Sequence, residues 1–308
     1  MAKAILTLRA RPSYDDLPEE RYHFPSRYLA EARKAEGDEI IYYEPGRLDD
    51  QDSRRQGLQA YFARARISAI TPDQRRPNHF YAHISNYVLF ARPVPFKAGD
   101  HYFEKKLVNA DGTQNQLAFR NPVRVLDDDE FELIWQAGTA IALEPIAQSQ
   151  DSAIIGLGED PEPFERRIVP QTINRAVRDA VFAFAIRREY DATCAVTGLR
   201  IINGGGRAEI EAAHIQPVEH NGPDSPRNGI ALCRTAHWMF DRGLLALTND
   251  GRFDVNVNKV PEAARRMLRQ DGKLILPKKE DFRPHPRFVD WHRTNVYLPK
   301  LRGDGTTT

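Results

Sequence analysis

The chain has 308 residues, 41% of them hydrophobic, and its 44 basic side chains are offset by 43 acidic ones to a formal net charge of +1. That is enough apolar material for two moderate cores, and the charge balance confines any nucleic-acid surface to local patches. No apolar run approaches the roughly 18 residues of a membrane helix, the first nine residues are charged too soon for a secretory signal, and two cysteines make no disulfide framework. These features predict a cytoplasmic protein with no membrane partner.

Residues 4–9 alternate weakly as a strand, 25–35 have helical composition ending before Gly37, and 38–44 form a buried strand by composition. The polar run 49–57 is a loop. Residues 61–70, 80–84, 87–90 and 93–96 follow as short strands with turn signals between them, the pattern of a small barrel. Residues 99–122 read as a partly ordered insertion able to lie against DNA, and 127–138 as a short helix with an acidic first turn.

This order, with Tyr22-His23-Phe24-Pro25, Gly37-Asp38-Glu39-Ile40-Ile41-Tyr42-Tyr43 and the strand from Ala60, is similar to the PUA-like superfamily, whose modified-base readers include EVE, ASCH and SRA-type domains. The resemblance covers about residues 1–145. It implies a pocket that takes a flipped nucleotide and stacks aromatic rings on its base. Tyr22, His23, Phe24, Tyr42, Tyr43, Phe80 and Tyr81 are the candidate walls. Aromatic residues in strands are commonly core, and at least half of these are expected to be ordinary packing.

Between residues 146 and 164 periodicity is lost and Gln, Ser, Asp, Gly and Pro accumulate, as in a linker. Behind it Ile173, Ala176, Val177, Ala180, Val181 and Phe184 recur at helical spacing after a candidate cap at Thr172. Arg175, Arg178, Arg187 and Arg188 around that helix are candidate contacts to DNA phosphate, with a plain solvated face as the alternative.

The densest chemistry lies between residues 209 and 243. Glu211-Ala212-Ala213-His214 ends a strand, Asn228-Gly229 makes a loop, and His237 and Asp241 stand four apart on a helix. That spacing puts an imidazole and a carboxylate on one face, as half of a site for a divalent cation, and a hairpin can bring His214 over it. Phosphodiester hydrolysis needs such a pair, a base for water and a cation for the charge on phosphate. Taken singly, each residue has a bland role in core or turn; the set in this order is specific. Beyond Asp241, residues 243–248 and 253–257 read as a hairpin, 261–270 as a basic helix, and 288–293 as a docked segment where Asp290 would partner His292.

This stretch resembles the HNH nucleases of ββα-metal fold, through His214, Asn228 and His237 in order, the Glu211-Ala212-Ala213 lead-in, and Phe240-Asp241-Arg242-Gly243. The resemblance implies that His214 is the general base, that Asn228 braces the loop aiming it, and that His237 and Asp241 bind one divalent ion per active site. Ala213 stands where many members carry a further ligand, so water and substrate phosphate, or Glu211, complete the shell. Mg, Mn, Ni and Zn all suit these ligands. Many members also hold a zinc on two paired-cysteine knuckles, whereas Cys194 and Cys233 here face Thr197 and Ala236 instead of second cysteines. Two thiols cannot fill a four-ligand site, so no structural zinc is expected.

The expected architecture is α+β: a PUA-like β-barrel domain over 1–145, a linker over 146–164, and an HNH nuclease domain over 165–308. The function it implies is a metal-dependent endonuclease that reads modified cytosine in double-stranded DNA and works as a homodimer, since two strands need two sites. An HNH nuclease for unmodified DNA and a catalytically inactive DNA-binding module are the alternatives.

Overall fold

Apolar residues at every second position turn the first half of the chain into long strands. The computed structural model describes residues 2–8, 16–48, 55–99, 101–152 and 170–299, and the chain divides into two units, 1–181 and 182–308.

The first unit contains β1 (Lys3–Thr7), β2 (Arg21–Pro25), α1 (Leu29–Lys34), β3 (Glu39–Glu44), β4 (Arg47–Leu48), β5 (Arg55–Gln56), β6 (Ala60–Pro72), β7 (His79–Pro95), β8 (Lys97–Ala98), β9 (His101–Tyr102), α2 (Gln116–Arg120), β10 (Val123–Leu126) and α3 (Asp128–Ser152). Six strands make one sheet in the order β10-β1-β3-β6-β7-β2. Only β1 and β3 run parallel. Leu6, Phe24, Ile40, Tyr42, Ala65 and Ala82 are among the side chains of its buried core.

Three expectations change here. The strands predicted at 80–84, 87–90 and 93–96 are one strand, β7, and the breaks in alternation are bulges where its register against β6 shifts. At one of them Asn86 takes φ 52, a left-handed conformation that Asn tolerates. The helix predicted to stop at Gly138 continues to Ser152. Gly138 is there for close approach, because a Cβ at that position would stand 2.5 Å from Cδ2 of Phe90. The stretch 99–122 is also better anchored than an insertion. Glu104 and Leu107 are buried, and Glu104 takes two 2.7 Å hydrogen bonds from the Arg124 guanidinium and one of 2.8 Å from the Tyr61 hydroxyl.

Of the expected linker, residues 153–164 lie outside the described residues, as does 49–54 of the polar loop; 146–152 have helical backbone at the end of α3. No described helix is long and apolar enough to cross a membrane.

Helix α4 (Pro170–Glu189) starts two residues before the predicted cap, with proline in its first turn, where a missing N–H is harmless. From Phe182 onward its residues belong to the second unit. There follow β11 (Glu211–His214), β12 (Gly229–Leu232), α5 (Arg234–Asp241), β13 (Leu245–Leu247), β14 (Phe253–Val255), α6 (Glu262–Arg265) and α7 (Pro286–His292). Strands β11 and β12 pair antiparallel, with His214 opposite Gly229, so hairpin and α5 together form a ββα unit. Phe182, Ile186, Ala213, Ile230, Leu232, Ala236 and Phe240 lie in its core. The basic helix is shorter than predicted, because the chain turns after Arg265 to bury Leu268 and give the Arg269 N–H to the Val196 carbonyl.

Candidate active site

Strand β11 presents Glu211 at its start and His214 at its end, about 10 Å apart at the usual rise of a strand. The Glu211 carboxylate accepts from Nδ1 of His237 at 2.8 Å and from Nε of Arg234 at 3.2 Å. The hydrogen bond from His237, followed by the charges of His237 and Arg234, holds the Glu211 carboxyl below the usual carboxylate range. With Nδ1 so occupied, the other ring nitrogen of His237 lies 3.6 Å from the Asp241 carboxylate, one helical turn on.

The geometry of the donor set shows whether a cation fits. Two donors bonded to one cation at about 2.1 Å each sit roughly 3–3.5 Å apart, close to the observed separation. Nitrogen and carboxylate oxygen suit a divalent ion, and the His237 and Asp241 side chains are 25% and 51% exposed, open to a substrate. Among the described residues no group of three or more His, Cys, Asp or Glu side chains forms a ready-made metal cluster. The pair therefore fits a cation that keeps places for water or phosphate.

His214 is held differently. Its ring lies on that of Phe182, with centroids 3.9 Å apart and planes 9° apart, and its Nε2 is 2.9 Å from Oδ1 of Asp224. Asp224 comes from the loop between β11 and β12, and the fully buried Asn228 ties that loop down. Its amide oxygen accepts from the Gln216 N–H at 2.8 Å, and its amide nitrogen donates to the carbonyls of Gln216 at 2.9 Å and Pro223 at 3.0 Å. Gly222 lets the loop close, since a Cβ there would fall 1.8 Å from the Gln216 carbonyl oxygen. Gly229 does the same for α4, where a Cβ would stand 2.3 Å from Cδ1 of Ile186 and 2.8 Å from Cζ of Phe182.

Asp224 and Phe182 were not among the sequence candidates. A faint signal for the first is an acid after the Gly222-Pro223 turn between His214 and Asn228; for the second, only the helical stripe on which it was not counted. His292 is buried, stacked on Phe240 at 3.8 Å, and hydrogen-bonded through Nε2 to the Phe240 carbonyl at 3.0 Å. The expected pairing of His292 with Asp290 does not form. Positions two apart face different sides of a helix, and Asp290 instead accepts from the Asn249 amide at 2.8 Å.

Cys194 and Cys233 are both buried in the core of this unit. Their thiols share a hydrogen bond that lowers Cys194 and raises Cys233, with Thr197 and Ala236 N–H groups directed at the respective sulfurs.

The seven candidate pocket residues of the first unit fall into three groups. Tyr22, Phe24 and Tyr42 are core, and the partly buried Phe80 packs on them. His23 stacks on Tyr81 at 4.4 Å and pairs with Asp73 at 3.0 Å. Tyr43 packs beside Tyr61 and Phe119. The four arginines of α4 do not form one stripe: at about 100° per residue they are spread around the helix, and Arg175 and Arg188 are within 3.9 and 2.9 Å of Asp179 and Glu189.

Residues 194–248 match the family model for HNH endonucleases. No curated protein sequence matches the chain. Among solved structures, a modification-dependent restriction endonuclease, TagI, is 14% identical with a TM-score of 0.33, covering 94% of this chain and 81% of its own. The phosphorothioation-dependent type IV restriction endonuclease ScoMcrA is 14% identical with a TM-score of 0.20, covering 76% and 46%. His214, Asn228, His237 and Asp241 all fall inside the matched segment, and over that segment the chain is an HNH endonuclease.

Proposed function

We propose that the chain is a metal-dependent, modification-dependent DNA endonuclease in which His214 takes the proton from the attacking water and His237 and Asp241 hold a single divalent ion. The line Glu211–His237–Asp241, starting on the strand that ends in His214, carries this reading. Glu211 acts from outside the metal shell. By accepting from Nδ1 it fixes the tautomer of His237 and leaves the Nε2 lone pair for the ion. Asn228 keeps the His214 loop rigid, so the base meets its water without reorganisation. The cation, when bound, supplies stabilisation of charge on the phosphate and the leaving oxygen. The fold around the site is held by an apolar core of which Cys194 and Cys233 are two members, without a structural zinc.

In this reading the first unit is a PUA-like reader of a modified cytosine turned out of double-stranded DNA, and a homodimer places one nuclease on each strand.

The test is cleavage of one plasmid with and without modified cytosine, in magnesium, manganese or nickel, by wild type, His214→Ala and His237→Ala proteins. Cutting confined to the modified plasmid, and lost by about 10²–10⁴-fold without His214, is the expected result. Equal cutting of both plasmids overturns the reader, full activity of His214→Ala overturns the base, and no cutting by wild type in any ion overturns metal-dependent hydrolysis.

A further inference from the structure

The carboxylate that meets His214 is not one of the residues on which the resemblance of this segment to the HNH nucleases was read. Asp224 is 4% exposed, its Oδ1 is 2.9 Å from His214 Nε2, and the loop that bears it is fastened at the neighbouring Pro223 carbonyl by Asn228. We propose that Asp224 is the positioning residue of the nuclease, setting the tautomer and orientation of His214; this rests on His214 being the base.

An ionised carboxylate can only accept hydrogen bonds. Facing Asp224, the imidazole must therefore present Nε2–H, which leaves its lone pair on Nδ1, the nitrogen that then receives the proton from water. Once that proton is taken, the ring is an imidazolium in contact with a buried anion, where low local dielectric strengthens the attraction. Phe182 fixes the ring plane from one face, so rotation about the Asp224 contact is blocked. Asn228 thereby gains a second function: the same side chain that ties down Gln216, two residues after His214, also ties down Pro223, one before Asp224. Base and carboxylate are held in one frame.

The experiment compares wild type, Asp224→Asn, His214→Ala and the double variant of the full chain by single-turnover cleavage, and records the His214 tautomer by nitrogen-15 NMR of the metal-free protein. Expected are an Nε2–H tautomer in wild type, a mixture of tautomers in Asp224→Asn, and a loss of about 10²–10⁴-fold in kcat with KM for DNA nearly unchanged. The double variant should be no slower than His214→Ala. Wild-type-like cleavage by Asp224→Asn, or an Nδ1–H tautomer in wild type, overturns the proposal. If His214→Ala cleaves normally, it is the base assignment that fails, whatever Asp224→Asn does. Should Asp224→Asn not fold, the wild-type tautomer still decides.

Discussion

The imidazole of His214 and the ring of Phe182 are parallel to within 9° at a centroid separation of 3.9 Å. A flat contact of this kind fixes the plane of the imidazole, which in the proposed mechanism must meet a water in one direction. Phe182→Leu keeps apolar volume but removes the flat surface. It is expected to lower kcat by about tenfold while costing roughly 1 kcal/mol of stability, as read by single-turnover cleavage beside urea unfolding.

Gly229 stands opposite His214 and under α4. A methyl group at this position must displace Ile186 and Phe182, both buried. Gly229→Ala should destabilise the second unit by about 1–3 kcal/mol and reduce cleavage by more than that loss accounts for at temperatures where the variant is folded. Denaturant midpoints and cleavage rates measured on the same preparation check this.

Glu211→Gln keeps the size of the side chain and removes the anion on His237. Weaker binding of manganese by about 10–100-fold is expected, measured by calorimetry without DNA. Unchanged affinity would show that Glu211 does not orient the ligand.

Burial pushes the His292 imidazole down to about 4, below its ordinary value near 6.5. The folded state thus holds it neutral where the unfolded state takes a proton. Its contribution to stability is complete above about pH 6.5 and is lost as pH falls from there toward 4, on the order of 3 kcal/mol in all. His292→Phe, which can keep the stack on Phe240, should flatten this part of a stability-against-pH curve measured by thermal unfolding.

The parts of this molecule that follow from short-range spacing were legible in the sequence. His237 and Asp241 are a turn apart on a helix, Asn228 precedes the returning strand, and the stripe on α4 repeats at 3.6 residues. What was not legible depends on contacts across the fold. Gly138 looks like a helix stop until Phe90 is placed against it, and the three strand segments from Phe80 to Pro95 become one only because β6 supplies a partner that absorbs the bulges. Asp224 is ten residues from His214 in a loop with no periodicity, and beyond the Gly222-Pro223 turn before it little local distinguishes it from a solvated turn acid. The sequence brings Glu211 within reach of the site, yet only the position of His237 decides that it touches Nδ1.

Asn228 is followed by Gly229, the dipeptide most given to deamidation in a mobile chain, because an unhindered glycine nitrogen can attack the side-chain amide. In the folded protein that attack is suppressed: both ends of the amide are engaged, and the Gly229 N–H is committed to the Pro226 carbonyl. Unfolding releases all of these at once. The aspartate that would form has no N–H to offer the carbonyls of Gln216 and Pro223, so deamidation during a long unfolded interval would leave a loop unable to remake its own ties, and the fold acts as the preservative of the residue that fastens it.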